Sequence, residues 1–537
     1  MIFLISYIVH YPSFAQEQGA LILPAPTQQF VPTLPAHMEQ ATGTSHRMLL
    51  LSALAFTVCI AAWLINGVLV TYLTNNGLFN WTPVETGWLL GVPVLVGSVM
   101  RLPVGLLTDR FGGKWVMIAV LLLSAIPLFL LSWANSYGTF LCLSFAFGLA
   151  GSTFSAGVAY VVLWYPKAKK GTAMGIFAAG NVGAALTTFF APRLLVQLTN
   201  GNTDLEGWRT LPQLYAGVLV VMAVILLVFA KNKVPEAVKT FGQRIKPLKE
   251  TRVWRFGLYY FFAYGSFVSL SQWLIPYYVN VYTLSIVSAG MMTTVFNLPA
   301  GLLRIVGGIL SDKFGARIVL YWMFGVCLVG LLFLLPPRVE LQTPGRGILA
   351  SRSGMVESIT EREILVVDEA DPQARISYAL TTNEQMDIRF GLHHDDEGFM
   401  PMPTTSVKQL PQVRVGDRVA KGELLAKGTT HIYFQANRWI FTVLVFLIGA
   451  AMGIGGAAVY KHISTYFPDE VGTVGGIVGV VGGLGGFFGP ILFGYLLDAT
   501  GVWTTCWALL FVVAAVALVW MRITVNRMDR ALTGPST

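Results

Sequence analysis

Charged side chains are scarce in this sequence: 12% of residues are Asp, Glu, Lys or Arg, against 55% that are hydrophobic. A soluble globular chain typically carries about 25% charged residues, so a soluble enzyme or regulator is excluded as a description of the whole chain. Cysteine is scarcer still. Cys59, Cys142, Cys327 and Cys506 all fall in apolar stretches without paired spacing, which argues against a disulfide framework or thiolate metal site and leaves them as small packing groups. No Ser/His/Asp, Cys/His, phosphate-loop or metal-ligand constellation occurs. Neither an enzyme, nor a cofactor, nor a bound metal is therefore expected.

What the sequence has instead is long apolar runs, each able to cross a hydrocarbon core of roughly 30 Å as a helix. Twelve spans are predicted, near residues 48–74, 84–108, 113–133, 138–164, 171–198, 211–230, 254–281, 286–310, 316–335, 437–462, 472–496 and 501–521. The net charge of +9 does not mark a nucleic-acid partner, because the basic residues sit in particular connections. Lys167, Lys169 and Lys170 follow span 4, and Lys231, Lys233, Lys239, Arg244, Lys246, Lys249, Arg252 and Arg255 fill the span 6 to 7 linker, whereas the connections after spans 1, 3 and 7 have no Lys or Arg. The positive-inside rule then puts both termini and the linker in the cytoplasm. Residues 1–46 are too short in apolar content to span and rich in proline, so they read as a disordered tail, and translation could start at Met38.

An internal repeat organises the spans. R-L-P-V-G-L-L-T-D-R-F-G-G-K from Arg101 matches R-I-V-G-G-I-L-S-D-K-F-G-A-R from Arg304 at an offset of 203, while W-Y-P at Trp164 matches Y-F-P at Tyr466 at an offset of 302. The offsets differ by 99, and residues 336–434, the non-apolar stretch between these landmarks, number 99. Without that insert the chain divides into six spans plus six. The domain reading is a tail (1–46), a first bundle (47–230), a linker (231–253), three helices of a second bundle (254–335), a β-rich insert (336–434), three more helices (435–522) and a cytoplasmic tail (523–537). The fold class is thus an all-α membrane protein of twelve transmembrane helices in two pseudo-symmetric bundles, plus a small inserted β domain.

Arg101 and Arg304 each precede an aspartate by eight residues, which places them about 12 Å deep at roughly 1.5 Å per residue. A charge at that depth is costly and marks a functional path unless a carboxylate pairs it. Glu85, Asp109, Asp312, Asp469, Glu470 and Asp498 all lie at or beyond span ends. The ion-pair reading therefore lacks its partner, and a small, flat oxyanion suits two forked guanidiniums. Gly148, Gly151, Gly171, Gly175, Gly180 and Gly183, with Gly472, Gly475, Gly476, Gly479, Gly482, Gly483, Gly485 and Gly486, let helices approach closely. Ordinary packing and a narrow pocket are both open readings of them.

Two bundles related in this way resemble the major facilitator superfamily, with its substrate site between the halves, and G-x-L-x-D-R-F-G resembles that superfamily's loop motif. The resemblance makes Asp109, Arg110, Asp312 and Lys313 gating charges; solvated loop charges are the plain alternative. G-L-A-G-S-T-F-S-A-G, then W-Y-P-K-A-K-K-G-T-A-M-G-I-F-A-A-G-N-V-G, from Gly148 to Gly183, with the glycine-rich run through Gly486, resembles the signatures of the nitrate/nitrite porter family. That resemblance implies nitrate and nitrite as substrates and Arg101 and Arg304 as their ligands. It also implies Phe154 as an aromatic wall, Asn181 as a polar contact and Tyr260 as a hydroxyl donor. Tyr264, one turn after Tyr260, shares its helix face. Gly483 stands where a second asparagine would be.

The expected setting is a monomer in the bacterial cytoplasmic membrane with the insert outside. Coupling stays open: the absence of intramembrane Asp or Glu favours exchange, with His462 the nearest proton carrier, while F-T-V-C-I-A-A-W at Phe56 to Trp63 resembles proton-coupled porters. In the insert, V-R-V-G-D-R-V-A-K-G-E-L-L-A from Val413 to Ala426 reads as a hairpin and resembles barrel-sandwich hybrid domains. His393, His394, Asp395, Asp396 and Glu397 could bind a cation or simply be solvated. Rival functions are transport of another small anion and anion sensing without transport.

Overall fold

In hydrocarbon a helix satisfies its own backbone polar groups, and the computed structural model answers the apolar runs with helices. It describes residues 42–166, 169–235, 242, 246–336, 340–360, 362–380, 404–433, 438–467 and 471–533. The expectations for residues 1–41, Lys167, Lys239, Arg244, Asp469, Glu470 and the stretch from His393 to Glu397 fall outside these residues.

Among the described residues eleven helices are long and apolar enough to cross a membrane: α1 (Gly43–Asn75), α2 (Pro83–Phe111), α3 (Gly113–Trp133), α4 (Tyr137–Val162), α5 (Thr172–Leu198), α6 (Leu205–Phe229), α8 (Ile286–Phe314), α9 (Ala316–Leu334), α10 (Arg438–Tyr466), α11 (Thr473–Thr500) and α12 (Thr505–Met528). The remaining span, α7, covers residues 251–282 in three contiguous pieces, with a π turn at Phe261–Gly265 between α-helical Thr251–Tyr260 and Ser266–Tyr282. Helices α1 to α6 and α7 to α12 form the two six-helix bundles.

Local signals set the helix ends. Thr82 and Glu85 form a capping box before α2, with Pro83 in its first turn. The phenylalanine-glycine steps of the repeat end α2 and α8 alike: Gly112 and Gly315 adopt φ of +88° and +83°, which a side chain would resist. Both helices therefore run past the apolar stretch. Asp109, Arg110, Asp312 and Lys313, expected in loops, lie on the last helical turns instead. At the other boundary α12 starts at Thr505, later than the expected 501, because Gly501 turns the chain at φ +67°.

Call the end of the bundle bearing Asp109 and Asp312 the aspartate end, and the opposite end, where the β unit joins α9 to α10, the insert end. The halves close against each other toward the insert end. There Gly87 meets the Pro490 backbone, Gly91 the Phe487 carbonyl, Gly67 the Gln272 backbone and Gly290 the Thr188 carbonyl, each too closely for a Cβ. Neutral hydrogen bonds accompany these contacts: Gln272 Nε2 donates to the Leu90 carbonyl at 2.9 Å, Asn297 Nδ2 to Thr188 Oγ1 at 3.3 Å, and the Thr188 and Thr294 hydroxyls meet at 2.9 Å.

The β unit has two sheets. One orders β1 (Glu340–Leu349), β7 (Leu424–Tyr433) and β5 (Thr404–Pro411); the other orders β4 (Arg375–Ala379), β3 (Glu363–Asp368), β2 (Gly354–Ile359) and β6 (Arg418–Val419). A small core of Val356, Ile364, Val366, Leu425 and Ala426 lies between them. The Arg352 guanidinium, 2.9 Å from buried Asp368, and then the Ala370 amide hold that carboxyl below its usual range. The hairpin expected over Val413 to Ala426 is not formed. Arg418–Val419 pairs with β2 in one sheet, whereas Leu424 onward pairs with β1 and β5 in the other. Alternation alone does not reveal the strand partner.

Candidate anion site between the bundles

Arg101 begins the second segment of α2, directly after the helix breaks at Met100, and Arg304 lies within α8. Both side chains are buried, at 2% and 4% exposure. The π turn in α7 brings two tyrosines to them. Tyr260 and Tyr264 stack with centroids 5.1 Å apart and planes 8° from parallel. Both guanidinium carbons lie 5.1 Å from the Tyr264 ring centroid, so the two charges are separated by at most twice that distance.

Arg101 donates Nη1 to the Gly479 carbonyl at 2.6 Å and Nη2 to the Tyr264 hydroxyl at 2.9 Å, while Arg304 donates Nη1 to the Tyr260 hydroxyl at 3.3 Å. The Nε of each arginine is buried without a partner. Among the described residues neither arginine has a carboxylate partner. Two buried cations with unspent donors and aromatic walls are costly when empty. An anion between them would relieve both the repulsion and the unpaired N–H groups.

The aromatic wall is asymmetric. Phe154 lies 5.2 Å from the Arg101 guanidinium and packs on Phe56 and Phe177. At the repeat's offset of 302, Phe154 corresponds to Gly456. A Cβ there would stand 3.7 Å from the Arg304 guanidinium carbon, so glycine leaves that guanidinium without the ring that walls Arg101. Tyr460, one turn beyond Gly456, covers part of that space, with its ring 5.2 Å from Tyr260 and 6.3 Å from Phe154. The sequence reading passed over it, because its repeat mate is Val158. Gly479 was singled out for packing; its carbonyl's bond to Arg101 has no sequence signal.

Asn181 is buried, but its Nδ2 donates to the Ala178 carbonyl within its own turn, and its Oδ1 has no partner. Its backbone abuts Gly301, one turn before Arg304. The repeat mates of these two residues exchange bulk: Gly483 abuts Ser98, one turn before Arg101. The missing second asparagine is thus filled from α2 by Ser98.

The glycines divide by what faces them. Gly148 meets the Pro93 backbone, Gly151 the Trp63 ring, Gly180 Phe56, Gly183 the Thr57 carbonyl, Gly482 the Tyr260 ring, Gly485 the Phe261 carbonyl and Gly486 Val268. These serve packing. Gly475 and Gly479 face Tyr460, and Gly479 also Arg101, while Gly175 and Gly476 meet nothing nearby. Gly171 falls in helix Lys170–Ala178 and Gly472 in helix Val471–Thr500. Among the end charges, Asp312 pairs with Lys461 at 2.5 Å, a partner the sequence reading passed over. Arg110 and Lys313 each lie 5.3 Å from the ring of the phenylalanine that follows.

This architecture defines a membrane transporter. The family model described as Major Facilitator Superfamily matches residues 51–350 and 424–535, and the chain belongs to that superfamily. Its relatives narrow the branch. A protein of Thermus thermophilus described as a probable nitrate/nitrite antiporter is 37% identical over 500 residues, covering 92% of this chain and 95% of its own. A nitrite extrusion protein of Bacillus subtilis is 32% identical, over 58% of this chain and 76% of its own, and a probable nitrate transporter of Staphylococcus haemolyticus is 31% identical, over 53% and 72%. The chain is a member of the nitrate/nitrite porter family within the superfamily. Among solved structures, a bacterial homologue of the human lysosomal transporter Spinster, inward-facing and occupied, shares the fold at a TM-score of 0.58 and 13% identity, over 91% of this chain and 98% of that one. The nucleoside transporter NupG shares it at a TM-score of 0.54 and 13% identity, over 90% of this chain and 99% of that one.

Proposed function

We propose that this protein exchanges nitrate and nitrite across the bacterial cytoplasmic membrane, holding the anion between Arg101 and Arg304. The observation carrying this reading is the pair of buried guanidiniums around one tyrosine, each with an unspent N–H and neither with a carboxylate. The relatives' names supply nitrate and nitrite. Exchange is preferred to proton coupling because, among the described residues, no carboxylate or imidazole touches either guanidinium. His462 stacks on Phe256 instead, 5.4 Å away. In this reading the aspartate end faces the cytoplasm, the insert end faces outside, and the Asp312–Lys461 pair braces α8 against α10 within the second bundle at the inner end.

The test is uptake of labelled nitrate by proteoliposomes with and without internal nitrite, and with an imposed pH gradient. Acceleration by internal nitrite and indifference to the gradient are expected. Nitrate that fails to compete with any transported anion would end the assignment.

Tyr264→Phe removes the hydroxyl that accepts from Arg101 when no anion is bound. The empty site then costs more, so KM and turnover should both fall, each roughly tenfold for a hydrogen bond to a charged group worth about 1.5 kcal/mol. A higher KM would instead assign the hydroxyl to the anion.

We also propose that residues 336–434 form a separable unit. Strands β1 and β7 pair in antiparallel register from Glu340 with Tyr433, which brings the two ends of the unit together between α9 and α10. Replacing 340–433 with a short linker should leave at least about half the exchange rate, since loop closure changes little in cost with length. Loss of flux from a correctly inserted protein would favour a sensing or gating role.

A further inference from the structure

At the aspartate end of the second bundle, a cleft opens between the ends of α7, α9, α10 and α12. Arg252, Arg255 and Arg317 line it together with His462, and no described carboxylate does. His462 lies flat on Phe256, and the Arg252 guanidinium sits 5.4 Å from the Tyr466 ring. Arg255 Nε and the nearby Tyr321 hydroxyl are buried without partners. Trp254, Ile318 and Ile523 on the same helix ends are exposed at 49%, 45% and 45%, as suits residues where hydrocarbon gives way to water.

The other bundle contains the same place, filled. Lys114 is the repeat mate of Arg317 and donates to the Leu227 carbonyl at 2.9 Å, while Tyr160, the mate of His462, donates to the Lys231 carbonyl. In the first bundle, backbone oxygens at the end of α6 thus satisfy these donors. In the second bundle α12 continues as a helix to Thr533, and among the described residues no main-chain oxygen accepts from Arg252, Arg255 or Arg317.

We propose that this cleft binds a phosphate-bearing anion at the membrane surface, its oxygens taking the place that the Leu227 and Lys231 carbonyls hold in the other half. Three guanidiniums suit the several oxygens of a phosphate better than a monovalent planar anion, and basic pockets between helix ends are where anionic headgroups lodge. The phosphate can come from a lipid headgroup or from free phosphate.

The test uses the full-length protein, equilibrated with an equal mixture of phosphatidylglycerol and phosphatidylcholine, with bound lipid read by native mass spectrometry. A parallel arm follows thermal stability against inorganic phosphate. Wild type should retain phosphatidylglycerol in preference on the order of tenfold, the R252Q/R317Q double variant should lose that preference, and K114Q should keep it. A stabilisation by inorganic phosphate that the double variant lacks, without lipid preference, assigns the same site to free phosphate. If the double variant does not fold, Arg252→Gln alone, at an exposed side chain, carries the comparison. Absence of both signals in wild type, or signals unchanged by the substitutions, overturns the proposal.

Discussion

Arg101→Lys or Arg304→Lys should each reduce nitrate exchange on the order of a hundredfold while the protein still inserts and keeps its fold. Arg101 spends one terminal nitrogen on the Gly479 carbonyl and the other on Tyr264, yet retains a buried Nε–H. An ammonium at the same depth keeps the charge but lacks the plane, so it cannot hold the scaffold and the anion at once. Losing a charge-assisted bond of about 1.5–3 kcal/mol accounts for the size of the effect. Exchange in proteoliposomes, normalised to inserted protein, measures it. Wild-type flux in either variant would remove the arginines from the transport path.

Gly456 should discriminate sharply by size. Its Cβ position lies 3.7 Å from the Arg304 guanidinium, an ordinary contact distance, so Gly456→Ala should exchange nitrate at close to the wild-type rate. Gly456→Phe would place on the Arg304 side the wall that Phe154 makes on the Arg101 side, pressing a ring on the guanidinium. A loss on the order of a hundredfold is expected, the upper end of what overpacking costs. Normalising flux to folded, inserted protein separates this from a folding defect, since a ring pressed on Arg304 should itself lower the melting temperature. Gly183→Ala, driven into the Thr57 carbonyl, should melt lower.

The apolar runs and the repeat made the twelve helices legible, because hydrocarbon permits few alternatives and the two arginine-to-glycine motifs end α2 and α8 alike. Arg101 and Arg304 were legible for the same reason: a charge without a carboxylate stands out in an apolar helix. Tyr460 was not, since an aromatic at helical spacing looks like packing and its mate is a valine. The Gly479 carbonyl could not be read at all, because a backbone acceptor carries no residue type. Ser98 filling the place beside Gly483 became visible only once the two halves were packed. In the insert, alternation located the strand-forming residues but not their partners, and the expected hairpin dissolved into two sheets.

The closure at the insert end includes glycine-to-backbone contacts, a hydrogen bond from Gln272 to the Leu90 carbonyl, and hydrogen bonds linking Asn297, Thr188 and Thr294. None of these groups is charged. Opening that seal therefore separates surfaces that dissolved ions screen weakly, and the Asp312–Lys461 pair at the far end ties α8 to α10 within one bundle, so parting the halves does not break it. Ionic strength should accordingly leave the insert end as tight as before.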